Sequence, residues 1–440
     1  MSKIKESVLL KFVLPGAELV SGTCATKWLK RIESMNTWNR SSILDWQNAH
    51  LQAFVKHAYI HTKYYHSLFD SLDINPDDIR SAEDLKQIPI ITKDIVNAHY
   101  QDLIPDDVSS MRYRHSASGG TTGKPMKYLC SEDVWGYVTA AKIYYWKKKG
   151  YQYGDDFIAL GSASLFSQKP SRTRRLYDRI RHEHPLNCVD LSEEKCRSYY
   201  EYIKKSGIRY LYGYAAAIYL FASYLDVNNL DLTQISAVFT TSENLPDNYR
   251  ELIERVFNCS VMDCYGAKDA GITAYETKRH HYEIGYNVIA ETVDEIAANT
   301  GSLISTNILN DCFPLIRYKF GDEAQLGNSQ QESDYNGQIL TQIVGRTSNV
   351  LRLENGHSLT ATGLSMIMKN FDIVAFDFAK NGVNSVCLRI QPVPYKYTKE
   401  QESIITKTIK KYIGDDCTLL IEYVDSFPPL QNGKRSYFLV

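Results

Sequence analysis

Residues 116–125 read Ser116-Ala117-Ser118-Gly119-Gly120-Thr121-Thr122-Gly123-Lys124-Pro125, three glycines, four hydroxyls and one lysine in ten positions. Glycine carries no Cβ, so successive backbone N–H groups can converge on an anion without steric penalty. The hydroxyls of Ser118, Thr121 and Thr122 add neutral donors, and Lys124 adds a point charge suited to phosphate. The spacing is not that of a Walker P-loop, which needs Gly where Ser118 stands and Ser or Thr where Pro125 stands. Pro125 also disfavours helical geometry at Lys124, so the loop does not run straight into a helix. The stretch reads as a phosphate loop of another kind, against the plainer alternative of a Gly/Ser/Thr-rich surface turn.

Five further clusters follow in order. Thr240-Thr241-Ser242-Glu243 ends one predicted strand and Tyr265-Gly266-Ala267-Lys268-Asp269 ends another. Arg317-Tyr318-Lys319-Phe320-Gly321-Asp322, Val344-Gly345-Arg346 and Asn432-Gly433-Lys434-Arg435 come after. Each is weak singly: Tyr-Gly after a strand is usually a turn, and a C-terminal lysine is usually solvated. Residues 169–184 gather Lys169, Arg172, Arg174, Arg175, Arg179 and Arg181 with only Asp178 and Glu183 in opposition. That segment reads as a solvated face, or as a site for a phosphorylated second substrate. Cys259, Cys264, His280, His281 and Cys312 flank one segment, but their spacing matches no standard zinc pattern, so buried core cysteines are the expectation.

The elements that must position these residues are those of an α/β protein. Apolar positions at helical spacing predict a helix over 46–72, and a helix over 133–149 closes at Gly150. From Tyr153, short apolar strands at 157–160, 208–212, 237–240 and 261–265 alternate with helices at 193–206 and 215–225, the pattern of layered α/β structure. The glycine loop falls between two strands. After residue 285 the pattern turns to β. From Gly345 a last segment reads β-α-β-α-β, with strands at 350–353, 386–390 and 418–423 and helices at 361–369 and 399–413. The expected domains are thus 1–344 and 345–440.

At 440 residues and a net charge of −1, the chain has room for a large core and no electrostatic footprint for nucleic acid. No run of about 18 apolar residues predicts a membrane span. Lys11, Pro15 and Glu18 interrupt the start before it can serve as a signal peptide, leaving a short amphipathic helix. Nine scattered cysteines without a Cys-x-x-Cys pair suit a reducing compartment, and the cytoplasm is the expected location.

In their order and spacing the clusters resemble the adenylate-forming enzymes, in particular the phenylacetate-CoA ligase branch and, within it, CapK-type proteins of capsular polysaccharide biosynthesis. His57-Ala58-Tyr59 with Tyr64-Tyr65, residues 85–94 and Tyr212-Gly213-Tyr214-Ala215-Ala216-Ala217-Ile218-Tyr219 extend the resemblance from about residue 45 to 440. It implies a large N-terminal layered α/β domain, a small mobile C-terminal α/β domain, and a two-step reaction. A carboxylic acid attacks the α-phosphate of ATP to give an acyl-adenylate and pyrophosphate; coenzyme A, an amine or a sugar hydroxyl then takes the acyl group.

The resemblance also implies roles. Ser118, Gly119, Gly120, Thr121, Thr122, Gly123 and Lys124 would hold the β- and γ-phosphates. Asp269 stands where the family places its Mg²⁺ ligand, and Asp322 where a carboxylate accepts both ribose hydroxyls. Ser242, Glu243, Asp263, Cys264, Tyr265 and Gly266 would line the nucleotide, with Arg346 on ribose or phosphate. Tyr214 and Ala215 would shape the acyl pocket, and His357 would face the second substrate. Lys434 would bridge the α-phosphate and the attacking carboxylate, a task for a mobile point charge. The chain departs from the family at Lys268 and Asp269, where Thr or Ser and Glu are usual, and at Ser348-Asn349, where an acidic hinge residue is common. Lys268 would pair with the α-phosphate or with Asp269. These departures keep open a non-catalytic relative that binds nucleotide or acyl ligand. A kinase or nucleotidyl transferase is a further alternative, one that leaves Lys434 without a role.

Overall fold

The structure is a computed structural model that describes residues 10, 14–21, 24–118, 126–161, 182–188, 191, 193–297, 299–327, 334–346, 350–353, 358–360, 368, 371–427 and 438–439. The chain forms two compact units, one of Met1–Asp155 with Cys264–Val344, the other of Asp156–Asp263 with Gly345–Val440. The second unit therefore joins the residues after 344 to the strands and helices of 156–263.

In the first unit, helix Ala25–Met35 buries Trp28, Leu29, Ile32 and Met35, one stripe at helical spacing. It packs on helix Glu132–Lys147, where Trp28 meets Tyr137 edge to face at 5.4 Å. Asp133 in the first turn of the second helix joins the two: its Oδ1 accepts from the Trp28 indole at 2.6 Å and from Lys27 at 2.8 Å. The expected helix over 46–72 is two, Arg40–His61 and Lys63–Ser71. Thr62 breaks it with an extended backbone, donating its hydroxyl to the Ala58 carbonyl and accepting from Tyr65 N–H, so one residue ends one helix and caps the next. The β-rich part runs in the order Val288–Ala297, Thr300–Asn307, Tyr318–Gly327, Ile339–Arg346, His281–Ile284 and Ile272–Lys278, with Ile91–Thr92 parallel to the start of Tyr318–Gly327. Arg317 fastens that junction: it is buried, forms an ion pair of 3.0 Å with Glu291 and donates to the Ile88 carbonyl at 2.8 Å.

The second unit carries the parallel strands Phe157–Gly161, Glu183–Asn187, Tyr210–Tyr214 and Ala237–Thr241. Helices Ala215–Val227 and Asp247–Phe257 bury Ile218, Phe221, Leu225, Ile253 and Phe257 in a core with Leu211 and Val238. Towards the C-terminus the sheet order is Thr418–Tyr423, Ser385–Pro392, Ile373–Lys380, Phe438–Leu439, with helix Lys399–Ile413 covering it through Ile405, Ile409 and Ile413. The β-α-β-α-β expectation missed Ile373–Lys380, which lies between two partners and buries most of both faces, so it shows no alternation. The short hairpin of Val350–Arg352 with Ser358–Thr360 was half foreseen; the helix at 361–369 falls almost wholly outside the described residues. Tyr249 ties this sheet to the helices: it stacks on Tyr219 at 3.8 Å and donates its hydroxyl to the Val374 carbonyl at 2.9 Å.

Two predictions follow from these joints. Tyr249→Phe leaves the stack but strips the hydroxyl, and should lower stability by about 1 kcal/mol, seen as a lower denaturant midpoint at unchanged slope. Burial opposes the Asp133 charge, but Lys27, Trp28 and Cys24 together hold its carboxyl below the usual carboxylate range. A native carboxyl held low adds stability above its unfolded pKa, about 4, and loses it as pH falls through the folded value. Asp133→Asn should therefore flatten the fall of thermal midpoint below about pH 4 while lowering it at pH 7.

Candidate active site

The strands either side of the glycine loop pair with each other. Tyr113–Ala117 and Lys127–Ser131 pair antiparallel with Ala117 opposite Lys127, and Ser118 and Met126 close the neck. Ser118 N–H donates to the Met126 carbonyl at 2.8 Å, and Met126 N–H donates to Ser118 Oγ at 3.1 Å. Gly119 to Pro125 lie outside the described residues.

Met126 leads to the metal candidate. The Tyr318 hydroxyl lies 3.3 Å from Met126 Sδ and 3.2 Å from Asp269 Oδ2, so one buried phenol touches both the loop's neck and the carboxylate. Asp269 itself sits on a turn, 268–271, between strands Ser260–Ala267 and Ile272–Lys278. The turn is clamped from beneath: Ser305 donates its hydroxyl to the Ala270 carbonyl at 2.8 Å, and Asn287 donates to the Gly271 carbonyl at 3.1 Å. Gly271 has φ +63, and a Cβ there would lie 1.9 Å from the Asn307 side chain, so only glycine fits. Tyr128 lines a narrow pocket with Asp269, Lys268 and Asn310. Burial, with Asp269 adding its charge, pushes the Tyr128 phenol well above its ordinary pKa, so it stays a neutral donor.

On the strand Tyr318–Gly327, Asp322 is buried and its Oδ2 accepts from the Tyr265 hydroxyl at 2.8 Å. Gly321, with φ +90, turns the backbone just before it. Tyr265 is half-buried, Cys264 buried, and Gly266 and Lys268 exposed.

The second unit positions a separate set. Glu243 Oε2 accepts from Ala216 N–H at 3.0 Å, placing a carboxylate at the N-terminus of helix Ala215–Val227, where the helix dipole favours it. Tyr214 and Ala215, both buried, open that helix immediately before the Ala216 N–H that Glu243 accepts. Ser242 carries φ +69, a left-handed conformation rare outside glycine and typical of functional turns. A Cβ on Gly213 would lie 2.1 Å from the Leu160 carbonyl oxygen of the neighbouring strand. Asp263 is buried, its Oδ1 accepting from the Thr240 hydroxyl at 2.6 Å. Burial and then the Glu243 charge push the Cys188 thiol up to about 12, which makes it no nucleophile near neutral pH. The side chain of Arg346, and Lys434 and His357 altogether, lie outside the described residues, as do residues 162–181 of the basic segment.

Sequence reasoning quoted Tyr318 without assigning it a role and passed over Tyr128, Ser305 and Asn287. No spacing rule relates them to Asp269, because they come from three other strands and a loop. Among the described residues, Cys259, Cys264, His280, His281 and Cys312 do not gather into a group close enough to share an ion, and none of the nine cysteines forms a disulfide.

Residues 351–439 match the CapK C-terminal domain family. The chain is 23% identical to Protein CapK of Staphylococcus aureus over 424 residues, 93% of this chain and 90% of that one. It is 31% identical to phenylacetate-coenzyme A ligase of Escherichia coli (strain K12) over 117 residues, 26% of each chain. Among solved structures, 2-hydroxyisobutyryl-CoA ligase in the postadenylation state, in complex with R3-HIB-AMP, superposes with a TM-score of 0.66 at 13% identity, covering 89% of this chain and 88% of that one. The chain is CapK-like and has the α/β fold of the adenylate-forming enzymes.

Proposed function

We propose that the chain activates a carboxylic acid with ATP, forming an acyl-adenylate and pyrophosphate, and then passes the acyl group to coenzyme A or another nucleophile. The observation that carries this reading is the Tyr318 hydroxyl, which holds the neck of the glycine loop against Asp269. A loop for phosphates and a carboxylate for their counter-cation are useful only side by side. The likeness to CoA ligases supports the same reaction class.

The residues present fit the groups the reaction needs. Tyr318 engages one oxygen of Asp269, which leaves a monodentate carboxylate on a clamped turn, and magnesium is commonly held by one or two carboxylates together with phosphate oxygens and water. Bound there, Mg²⁺ would neutralise phosphate charge. The buried Asp322 offers a fixed acceptor for ribose hydroxyls, oriented by Tyr265. The glycine loop would receive the β- and γ-phosphates, and Lys268, exposed beside Asp269, would pair with phosphate or with Asp269. Glu243, Asp263, Cys264 and Gly266 border the nucleotide, Arg346 meets ribose or phosphate, and Tyr214 and Ala215 shape the acyl pocket.

The chemistry is an encounter of two anions, so it depends on charge neutralisation and in-line geometry. The carboxylate oxygen bonds to the α-phosphorus as the bond to pyrophosphate breaks, and Lys434 steadies both oxygens. In the second half-reaction the acceptor's nucleophile attacks the acyl carbon and AMP departs. Coenzyme A is the first acceptor to test, an amine or a sugar hydroxyl of a surface polysaccharide the next. We place the adenylation domain at 1–344, the lysine-bearing domain at 345–440 and the reaction in the cytoplasm. Among the described residues no helix is long and apolar enough to cross a membrane.

Pyrophosphate release from ATP and Mg²⁺ across aryl, short hydroxy, amino and uronic acids tests the reading. One acid should elicit release that Lys434→Ala abolishes while ATP binding persists. ADP release instead would assign a kinase; ATP binding without release across the panel would assign a non-catalytic relative. Tyr318→Phe keeps the packing and removes the hydroxyl's hold on Asp269. It should reduce kcat/KM for ATP by about tenfold, the equivalent of one hydrogen bond to a charged group, with a raised Mg²⁺ requirement.

A further inference from the structure

Away from the residues above, the first unit holds a cluster that the adenylation reading does not use. His57 and His61 stand one turn apart near the end of helix Arg40–His61, their rings 4.7 Å apart between centroids. Asp107 faces them from the turn that opens the short helix Val108–Ser110. Their ligand atoms all lie within 4.8 Å of one another, the only such group of three among the described residues.

Three features distinguish the cluster from an ordinary surface ion pair. His57 Nε2 and Asp107 Oδ1 are both buried without a hydrogen-bond partner. They face each other at 3.9 Å, too far for a hydrogen bond. Two orphaned groups a bond's length too far apart are costly unless something lies between them. Second, Asp107 occupies the N-cap position of its helix, yet its side chain caps nothing; the carboxylate is turned elsewhere. Third, the His61 ring is already fixed by a 2.7 Å hydrogen bond between Nδ1 and Asp106 Oδ1, the carboxylate support that orients a metal-ligating imidazole.

We propose that His57, His61 and Asp107 bind a divalent transition-metal ion, zinc in the first instance. Two imidazoles and one carboxylate form a borderline-soft N/O set that suits zinc and leaves a position for water. Zinc bonds of about 2.0–2.2 Å at tetrahedral angles set N and O ligands roughly 3.4 Å apart, so the His57–Asp107 pair closes by about 0.5 Å and the widest pair of the group by about 1.4 Å at most. The ion would pin the segment 104–110 to the end of the helix, reinforcing the bond from Asp106 N–H to the His61 carbonyl at 2.9 Å. That segment runs directly into strand Tyr113–Ala117 and the glycine loop, so the ion would steady the loop's approach and take no part in the reaction.

The test is zinc binding to the full chain after dialysis against a chelator, measured by competition with a chromophoric indicator. One equivalent should bind, be lost in His57→Ala and in His61→Ala, and weaken at least tenfold in Asp107→Asn. His50→Ala, a neighbouring histidine outside the cluster, should leave it unchanged. Cobalt(II) in place of zinc should give visible ligand-field absorption without the near-ultraviolet charge-transfer band of a thiolate. Absence of a stoichiometric site, binding indifferent to His57→Ala, or a thiolate band would each overturn the proposal. Circular dichroism checks each variant, and Asp107→Asn stands in should a histidine variant fail to fold.

Discussion

The Tyr318 side chain is almost wholly buried, so its hydroxyl must find partners inside the protein, and those it finds are the Met126 sulfur and the Asp269 carboxylate. A buried phenol that donates to a carboxylate is anchored by a charge-assisted bond, and it carries its strand with it. That strand begins at Tyr318 and reaches Asp322 two repeats of the pleat later, past the positive φ of Gly321. The hairpin neck, the metal candidate and the ribose candidate are consequently referenced to one side chain. The two ends of the glycine loop are fixed, because Ser118 and Met126 are tied to each other and Met126 to Tyr318.

The second unit solves a different problem by a different means. Its parallel strands end in turns that feed helices, and the first turn of helix Ala215–Val227 exposes backbone N–H groups that need acceptors. Glu243, coming from the turn after the next strand, supplies one. The carboxylate is thereby held by the helix it stabilises, and Ser242 takes on the left-handed backbone that delivers it.

How far the sequence is legible depends on the range of the interactions. The strands either side of the glycine loop, the strands Phe157–Gly161, Tyr210–Tyr214, Ala237–Thr241 and Ser260–Ala267, and helices Glu193–Ser206, Ala215–Val227 and Lys399–Ile413 are written in local periodicity and are found close to where expected, whereas strand Glu183–Asn187 and helix Asp247–Phe257 were not expected. The break at Thr62 is local too, but a threonine inside an amphipathic run carries no signal of its own; only its bonds to Ala58 and Tyr65 make it a boundary. Strand Ile373–Lys380 was hidden because a strand buried on both faces has no alternation to read. The site was legible as a set of clusters, since each sits at a strand end where a turn-forming motif is visible. The groups that hold those clusters in place were not. Ser305 and Asn287 reach the 268–271 turn across distances in sequence that no pattern encodes.

The close approach at Gly213 bears on how such a protein can change. The position lies one residue before the pair that opens helix Ala215–Val227, yet a methyl group there would strike the Leu160 carbonyl oxygen, part of the backbone of the adjacent parallel strand. Backbone cannot rotate aside as a side chain can, so enlarging residue 213 means prising two core strands apart. Substitution is thus barred at position 213 by the backbone itself, and side-chain size is first free to vary at Tyr214. A mutational library gains nothing from position 213, and a lineage would carry this glycine unchanged while the residues after it drift.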